Sequence, residues 1–417
     1  MLNFVSKQLR RIEHNGYIPL LIVTICIQGG IIASQFAATL FLTPSEIGVI
    51  RVIESALSIM ILAGSVGAQT LSIRESAITK TKSQQLVALR NIYLIIALGA
   101  SVVILGLTAF HTVWNRSILL DYILAISGIV LLTNAVRATS GFTQGVGLIS
   151  KTYIYLTATT GIAAGITVFA ASNWSVFGWI AGRYIGELLT LATLSAIVYK
   201  MVGAIPWRAS DHLSKLKKLL HDGFKINTAL VIKLTGDNLP VLIMAALKRP
   251  TDEIGFLGLA ILAANSAMLP LAVLAQRAFP IMANHRSHPK ELKRQTKLLG
   301  KTSLILSFLI CAVLFTASAF FQKTLNSIYI DAFLLMTILC WTVPLKSMAL
   351  VYGTNLMAKG QLNTSIKINA IEVILLGLLG LTATQIWGSK GAAYAIVLAS
   401  LWSATAYNLA AKMQSRI

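Results

Sequence analysis

The sequence predicts an all-α polytopic membrane protein, with about twelve transmembrane helices arranged as two parallel lobes of six helices each. Two observations carry this prediction. Of the 417 residues, 56% are hydrophobic and 12% are charged, and the mean hydropathy is +0.76. This apolar content exceeds what the core of a soluble chain requires. In addition, short motifs recur in the same order half a chain length apart.

Apolar runs long enough to cross a bilayer define the individual helices. A spanning helix needs roughly 20 mostly apolar residues. The sequence contains twelve such runs: Tyr17–Leu42, Ile47–Ile73, Asn91–Val113, Ile118–Thr139, Thr152–Ala171, Val176–Tyr199, Lys225–Leu247, Ile254–Met282, Thr302–Gln322, Ile328–Tyr352, Ser365–Ile386 and Gly391–Ala411.

Internal repetition divides these helices into two sets of six. The twin motifs are Pro44-Ser-Glu-Ile-Gly48 and Pro250-Thr-Asp-Glu-Ile-Gly255, and we expect both to be turns on the outer side of the membrane. The offset between matching residues grows from 206 (250 − 44) to 213, as in Gly178 and Gly391, with further matches at Ala68-Gln69 and Ala275-Gln276, Ala109-Phe110 and Ala319-Phe320, Asp121 and Asp331, and Gly141 and Gly353. An offset that only grows is typical of two copies with small loop insertions. An even number of helices per copy makes the repeats parallel.

The domain organisation follows from these repeats. Residues 1–205 form the N-terminal six-helix lobe, residues 206–223 a cytoplasmic basic linker helix, and residues 224–417 the C-terminal lobe. Leucines and lysines alternate in the linker with the spacing of an amphipathic helix that lies on a membrane surface.

Lysine and arginine predict the orientation. With a cytoplasmic N-terminus, 27 of the 35 lie in or beside cytoplasmic segments, so both termini are predicted to be cytoplasmic. The same distribution accounts for the net charge of +21 through topology and anionic headgroups. We therefore expect membrane lipids as partners and no nucleic acid, because the cations form no single patch with interleaved aromatic residues.

Catalytic and metal-binding patterns are missing from the sequence. Its three cysteines all lie within predicted spans, which argues against a disulfide framework or a metal cluster. No G-x-x-x-x-G-K-[ST] sequence occurs, so nucleotide hydrolysis through a P-loop is not expected. We predict a membrane transporter that is not an enzyme and has no cofactor, with H⁺ or Na⁺ as coupling ion or the substrate's own gradient as the energy source.

Charged residues inside spans are costly and commonly functional. Three pairs share a helix face, at i,i+3 or i,i+4 spacing: Arg51 with Glu54, Arg183 with Glu187, and Lys233 with Asp237. Each pair either neutralises itself during insertion or faces a cleft between the lobes. Arg137 and Lys346 are placed at the inner ends of the fourth and tenth spans, where snorkelling is the alternative, as it is for Lys367 in the eleventh. Glu372, deeper in the eleventh span, is expected to face water or a partner cation.

These charges give the predicted site. The substrate-binding residues are Arg51, Arg137, Arg183, Lys233, Lys346 and Lys367, and the ion-coupling residues are Glu54, Glu187, Asp237 and Glu372. Trp174, Trp179 and Trp402 are candidates for stacking on sugars, with an interfacial position as the alternative for Trp174. Gly236–Pro240 and Gly29-Gly30 are predicted to interrupt their helices, with close helix packing as the alternative.

The chain resembles the polysaccharide-transport family of the MOP (multidrug/oligosaccharidyl-lipid/polysaccharide) exporter superfamily, which includes O-antigen and teichuronic-type repeat-unit flippases. The resemblance rests on Phe41–Gly48, on its second copy Leu247–Gly255, and on Asp237 in the seventh span. It implies a MATE-like arrangement around a cationic central cavity. It also implies alternating access that moves undecaprenyl-diphosphate-linked oligosaccharide between leaflets of the bacterial inner membrane. A polysaccharide polymerase and a chain-length regulator are the partners that such a role implies.

Other functions stay open. Asp237 matches the acid of the family's seventh span, but Asn-Leu-Pro follows it here in place of a basic residue. A cation-coupled multidrug exporter of the same superfamily would favour a more acidic cavity. If the protein is instead a scaffold for polysaccharide assembly enzymes, replacing the charged cavity residues by neutral ones should be harmless. Major-facilitator transporters also have two six-helix lobes, but their Gly-, Asp- and Arg-rich signature is missing from Leu71–Lys80.

Overall fold

A computed structural model describes residues 29–30, 32–79, 81–113, 118–205, 213–285, 288–324 and 328–413, and no strand occurs among them. Residues 32–38 are helical. The helices that follow are α1 (Pro44–Ser65), α2 (Ala68–Ile78), α3 (Lys82–Val113), α4 (Ile118–Ile126), α5 (Ile129–Gly145), α6 (Ile149–Met201), α7 (Leu213–Ala246), α8 (Thr251–Ala267), α9 (Leu269–Asn284), α10 (Pro289–Thr324), α11 (Ile330–Leu339), α12 (Thr342–Ala358) and α13 (Leu362–Met413). The first part of the predicted first span and residues 206–212 of the predicted linker lie outside the described residues.

Most of these helices have the length and composition of membrane spans. In the described part of the chain, seven helical segments are long and apolar enough to cross a bilayer, or eight when the bent pair α11 and α12 is counted as one span. Two of these segments, Ile154–Met201 and Leu362–Met413, have 48 and 52 residues, about twice the length that one crossing needs. Together with α7, these segments account for the second to twelfth predicted spans.

The two long helices are helical hairpins. Backbone angles leave the helical region at Trp174 and Ser175 in α6 and at Gly388 in α13. Ser175 and Gly388 both have positive φ, 53° and 58°, and lie 213 residues apart. A methyl group on Gly178 would lie 1.9 Å from the Ala170 carbonyl oxygen, so the chain folds back on itself there.

The other breaks recur in both halves as well. The second span is broken at Val66 and Gly67 and the eighth at Met268, while the fourth is broken at Ser127-Gly128 and the tenth between α11 and α12. Equivalent spans are thus interrupted in each copy, which supports the duplication inferred from the twin motifs.

The chain forms two compact units. Unit 1 comprises the described residues of Met1–Phe41 together with Leu57–Leu230, and unit 2 comprises Leu42–Ala56 together with the described residues of Val231–Ile417. Helices α1 and α7 each contribute one part to unit 1 and the other part to unit 2.

In unit 1, α5 packs against α2, α3 and α6. Asn134 of α5 donates a hydrogen bond to the Ile61 carbonyl at 2.9 Å, and the Ser72 hydroxyl of α2 donates to the Ala138 carbonyl at 2.7 Å. The core around them is apolar and includes Leu71, Leu89, Ile92, Ile95, Ile96 and Phe142.

Unit 2 repeats this packing: α12 contacts α9, α10 and α13. Its core includes one cluster of Met282, Leu292, Leu299, Val351 and Ala358 and another of Leu356, Ile368 and Tyr407. In both units the second segment of a broken span is therefore the central helix.

The twin motifs are helix starts, and they contact each other within unit 2. Pro44 is the first residue of α1, a position that proline favours, and Pro250 is the N-cap residue of α8. Methyl groups on Gly48 and Gly255 would lie 1.7 Å from the Thr251 carbonyl oxygen and 2.3 Å from that of Pro44. Glycine is required at both positions because the two helix backbones touch there.

Candidate functional site

An ionic contact in unit 2 joins α7 to α12. The Lys346 ammonium donates hydrogen bonds to Asp237 Oδ1 at 3.1 Å and to Asn265 Oδ1, on α8, at 3.3 Å. The Lys346 and Asp237 side chains are 26% and 33% exposed, so both are partly accessible from outside the packed helices. The snorkelling alternative does not describe Lys346, because its ammonium turns towards Asp237 and Asn265.

Glu372 of α13 completes this cluster. Its carboxylate lies near the Ser403 hydroxyl and within electrostatic reach of Lys346, Asp237 and Lys233. Lys233 itself is exposed and has no ion pair among the described residues. The unit 2 cluster, defined as Lys233, Asp237, Lys346 and Glu372 with Asn265 and Ser403, thus contains two cations and two carboxylates.

The segment Gly236–Pro240 does not interrupt the helix as predicted. Helix α7 runs continuously from Leu213 to Ala246 with Pro240 inside it. Proline has no N–H, so the carbonyl oxygen of Gly236, four residues earlier, has no partner in the helix backbone. Neighbouring helices stabilise such a proline in membrane spans. The missing bond leaves an additional acceptor directly beside Asp237.

The predicted Lys233–Asp237 pair is therefore replaced by the contact between Asp237 and Lys346. The i,i+4 spacing places Lys233 and Asp237 on one face of α7, but a cation from a different helix is closer to the carboxylate. Lys367, also predicted to bind substrate, is exposed on α13 one turn before Ile371, and no hydrogen bond or ion pair joins it to the cluster.

In unit 1 the charged residues of the predicted site lie on α5 and α6. Arg183 Nη2 and Glu187 Oε1 are 4.0 Å apart, with side chains 23% and 15% exposed, as their i,i+4 spacing predicts. Arg137, on α5, is half-buried and lies within electrostatic reach of both Glu187 and Arg183. This unit 1 cluster, Arg137, Arg183 and Glu187, has two guanidinium groups and one carboxylate.

A seam of glycines orients this cluster. Methyl groups on Gly178, Gly182 and Gly186 would lie 1.9 to 2.7 Å from atoms of Ala170, Thr167 and Ala163, respectively. Residues four apart share a helix face, so the two arms of the α6 hairpin contact along this seam. Arg183 and Glu187 each follow a seam glycine and therefore project about 100° away from it.

Tyr184 of α6 joins the region around Arg183 to the break between α4 and α5 in the fourth span. Its hydroxyl donates a hydrogen bond to the Ala125 carbonyl at 2.8 Å, and a methyl group on Gly128 would lie 2.6 Å from that hydroxyl oxygen. The kink between α4 and α5 thus determines where Arg183 lies.

Arg51 and Glu54 belong to unit 2, where both are half-buried on α1. The side chain of Arg51 crosses Gly258 of α8, because a methyl group there would lie 2.5 Å from Arg51 Cγ. Glu54 lies within electrostatic reach of Arg51.

Several contacts were not predictable from the sequence. Asn265 and Ser403 are single polar residues in apolar runs, and only the fold brings them to Lys346 and Glu372. Trp179 is 2% exposed, which makes it unavailable for stacking on sugars. Trp174 and Trp387 are 64% and 62% exposed at equivalent hairpin positions, as expected for an interfacial belt. In the part of the chain that the structure describes, no three metal-ligating side chains cluster.

Comparison with known proteins identifies the fold. No protein-family model and no curated protein matches the sequence, whereas solved structures do. The inward-facing conformation of a multidrug resistance MATE family transporter of the MOP superfamily has a TM-score of 0.77 at 10% identity, covering 95% of this chain and 98% of that one. The MATE multidrug transporter DinF-BH, solved as a complex, has a TM-score of 0.67 at 16% identity, with 95% and 94% covered. A MOP superfamily transporter from Pyrococcus furiosus has a TM-score of 0.61 at 11% identity, with 96% and 95% covered.

The fold class predicted from the sequence is thereby confirmed. The protein is a multi-pass, all-α membrane protein with the fold of MATE transporters. At these identities the similarity defines the fold, so substrate and coupling have to be inferred from the chain's own charges.

Proposed function

We propose that this protein is a flippase that moves an undecaprenyl-diphosphate-linked oligosaccharide from the cytoplasmic to the outer leaflet of the bacterial inner membrane by alternating access. The surface-polysaccharide repeat unit, such as an O-antigen unit, is the proposed cargo. Both termini are proposed to be cytoplasmic, on the basis of the lysine and arginine distribution.

The observation that carries this proposal is the charge of the unit 1 cluster. Arg137 and Arg183 both lie within electrostatic reach of the Glu187 carboxylate, so two guanidinium groups are held close together in this part of the membrane domain. Two like charges held together at membrane depth are costly, and an anionic ligand best explains them. A diphosphate suits two guanidinium groups, because arginine binds phosphate oxygens with two parallel N–H donors.

The unit 2 cluster supports coupling to an ion. Lys346 is held by Asp237 and faces Glu372, so a phosphate that binds Lys346 competes with carboxylates for the same ammonium. Protonation of Asp237 or Glu372, or binding of Na⁺ to them, removes that competition. We therefore propose that these two carboxylates carry the coupling ion.

A cation-coupled multidrug exporter is the second candidate. Two of the structurally similar proteins are multidrug transporters, and the carboxylates of the unit 2 cluster could bind a cationic drug. The reverse polarity of the binding pocket in the transporter from Pyrococcus furiosus suggests a different function for that protein. The sign of the charge at the substrate-binding site is therefore the property that best discriminates a flippase from a multidrug exporter.

The discriminating experiment measures both activities in proteoliposomes of the purified full chain. One assay follows a fluorescent short-chain polyprenyl-diphosphate oligosaccharide across the bilayer, and the other follows a cationic dye. We expect lipid movement that falls at least about ten-fold when Arg137 and Arg183 are both replaced by glutamine, since loss of a buried charge contact costs roughly 2 kcal/mol or more. The matched control, Lys200→Gln at an exposed helix end, should retain the rate.

Dye transport without lipid movement, or dye transport that rises in the double variant, would favour the multidrug exporter. A test in cells separates transport from scaffolding, with a polysaccharide polymerase and a chain-length regulator as the proposed partners. Replacement of Arg183, Lys233 and Asp237 by glutamine or asparagine, at preserved expression, should reduce surface polysaccharide. Unchanged polymer in all three variants would contradict the assignment.

A further inference from the structure

Helix α10 has a basic face that no part of the described protein covers. Over its first three turns the exposed residues include Lys290, Lys293, Arg294, Lys297 and Lys301. Their spacing of three or four residues aligns them in one stripe along the helix. Arg294 pairs with Glu291 at 3.7 Å, whereas the four lysines have no ion pair among the described residues.

The same stripe continues as an exposed apolar surface. Leu304, Ile305 and Phe308 follow at helical spacing on this face and are 37%, 64% and 49% exposed. On the opposite face, Leu292 and Leu299 are buried against residues of α9 and α12. Farther along that face, Ser303, Ser307 and Cys311 are buried as well. One face of α10 therefore packs in unit 2, and the other is basic at one end and apolar beyond it.

The length of α10 places the change from basic to apolar at the membrane surface. The helix has 36 residues, so it extends about 54 Å, against a hydrocarbon core about 30 Å thick. The apolar residues 302–321 span about 30 Å at 1.5 Å per residue. Lys301 and Lys297 then lie at the depth of the headgroups, and Lys293 lies directly outside them.

We propose that this basic and apolar stripe of α10 is a binding site for an anionic phospholipid of the surrounding membrane. The lysines Lys293, Lys297 and Lys301 hold the headgroup phosphate, and Leu304, Ile305 and Phe308 contact the acyl chain. A ligand with an anionic head and an apolar tail matches both parts of the stripe. An acidic soluble protein would match only the first, and a zwitterionic lipid only the second.

This site is separate from the proposed transport function, because none of its residues belongs to the unit 1 or unit 2 cluster. It is also specific to the second copy. The corresponding helix of the first copy, α3, begins with Lys82 followed by Ser83, Gln84 and Gln85, so it has no comparable stripe.

The test titrates the purified full chain, in a neutral detergent, with phosphatidylglycerol or phosphatidylcholine and counts bound lipids by native mass spectrometry. Each cation near an anionic surface strengthens binding about five-fold, so replacing Lys293, Lys297 and Lys301 by glutamine should raise the Kd for phosphatidylglycerol roughly 100-fold at low salt. The matched control replaces the exposed Lys82, Lys200 and Lys217 by glutamine, which removes the same charge elsewhere and should leave the Kd unchanged. The corresponding lysine-to-arginine triple variant at the stripe should bind like the parent protein.

The opposite results would overturn the proposal. Equal binding of the two lipids by the parent protein, an unchanged Kd in the stripe variant, or an equal loss in the control variant would each exclude a specific anionic-lipid site. Inorganic phosphate at matched ionic strength should not displace the lipid, because it cannot use the apolar part of the stripe. Displacement by phosphate would show that the stripe binds free anions instead.

Discussion

The contact between Lys346 and Asp237 allows a quantitative test of the unit 2 cluster. At 3.1 Å the Coulomb energy of two unit charges is about 5 kcal/mol at an effective dielectric constant of 20 and about 1.3 kcal/mol in water. Both side chains are partly exposed, so we expect a coupling energy of roughly 2 kcal/mol between these limits.

The perturbation is a double-mutant cycle with Lys346→Gln and Asp237→Asn. Lys346→Gln should destabilise the protein by about 3 kcal/mol, because it removes from Asp237 and Glu372 the cation that contacts Asp237 directly. Asp237→Asn should cost less, about 2 kcal/mol, because Glu372 still faces Lys346. The double variant should be about 2 kcal/mol more stable than the sum of the two single changes predicts.

Thermal unfolding of the purified protein in detergent, followed by tryptophan fluorescence, measures these differences. For a unit of this size, 1 kcal/mol corresponds to about 2–4 °C in Tm, so Lys346→Gln should lower Tm by roughly 6–12 °C. The control Lys367→Gln, on an exposed position of α13, should stay within about 0.5 kcal/mol of the parent protein. Additive effects of the two single changes, within about 0.5 kcal/mol, would refute the contact.

Three further changes test the packing around the two clusters, all measured by thermal unfolding in the same detergent. Gly178→Ala should destabilise the α6 hairpin by about 2–3 kcal/mol, because the added methyl group would clash with the backbone of Ala170. Its control, Gly161→Ala, has open space around it and should be neutral or slightly stabilising. Equal effects of the two changes on Tm would contradict the glycine seam. Asn227→Ala removes the hydrogen bonds that join α7 to Leu62 and Ser65 and should cost about 1–3 kcal/mol; no loss of Tm would argue against them. Glu253→Gln weakens the acceptor of the hydrogen bond that the Ser389 N–H donates at 3.3 Å. We expect the free energy of unfolding to fall by about 0.5–1.5 kcal/mol, and an unchanged Tm would contradict this.

Much of the fold could be predicted because membrane spans impose a strong local rule. A helix that crosses lipid must satisfy its backbone internally and must be apolar over its length, so hydropathy alone indicated the spans later found as α1 to α13. The twin motifs also predicted the duplication, because Gly48 and Gly255 lie at equivalent positions near the start of a helix in each copy. The breaks found at Gly67, Gly128, Ser175, Met268 and Gly388 were not predicted from the sequence. The interruption that was predicted at Gly236–Pro240 does not occur.

The charged clusters were only partly predictable. The i,i+4 rule identified the Arg183–Glu187 pair because both residues lie on one helix. The same rule failed for Lys233 and Asp237, because the partner of Asp237 comes from α12, 109 residues later. Contacts between helices depend on how kinked spans pack, and local spacing contains no information on that packing.

The sequence by itself determined the class of this protein. Its spans, its duplication and its positive net charge follow from composition and periodicity, which are local properties of the chain and do not depend on how the helices pack. Only the tertiary structure decided which charges meet. In the folded chain Lys346 pairs with Asp237, and Arg137 lies beside Arg183 and Glu187. The basic face of α10 stays uncovered. The physical reason is that a helix face has no partner until another helix packs against it. The order of helix packing, together with the breaks at Gly128, Ser175 and Gly388, then determines where each charge lies.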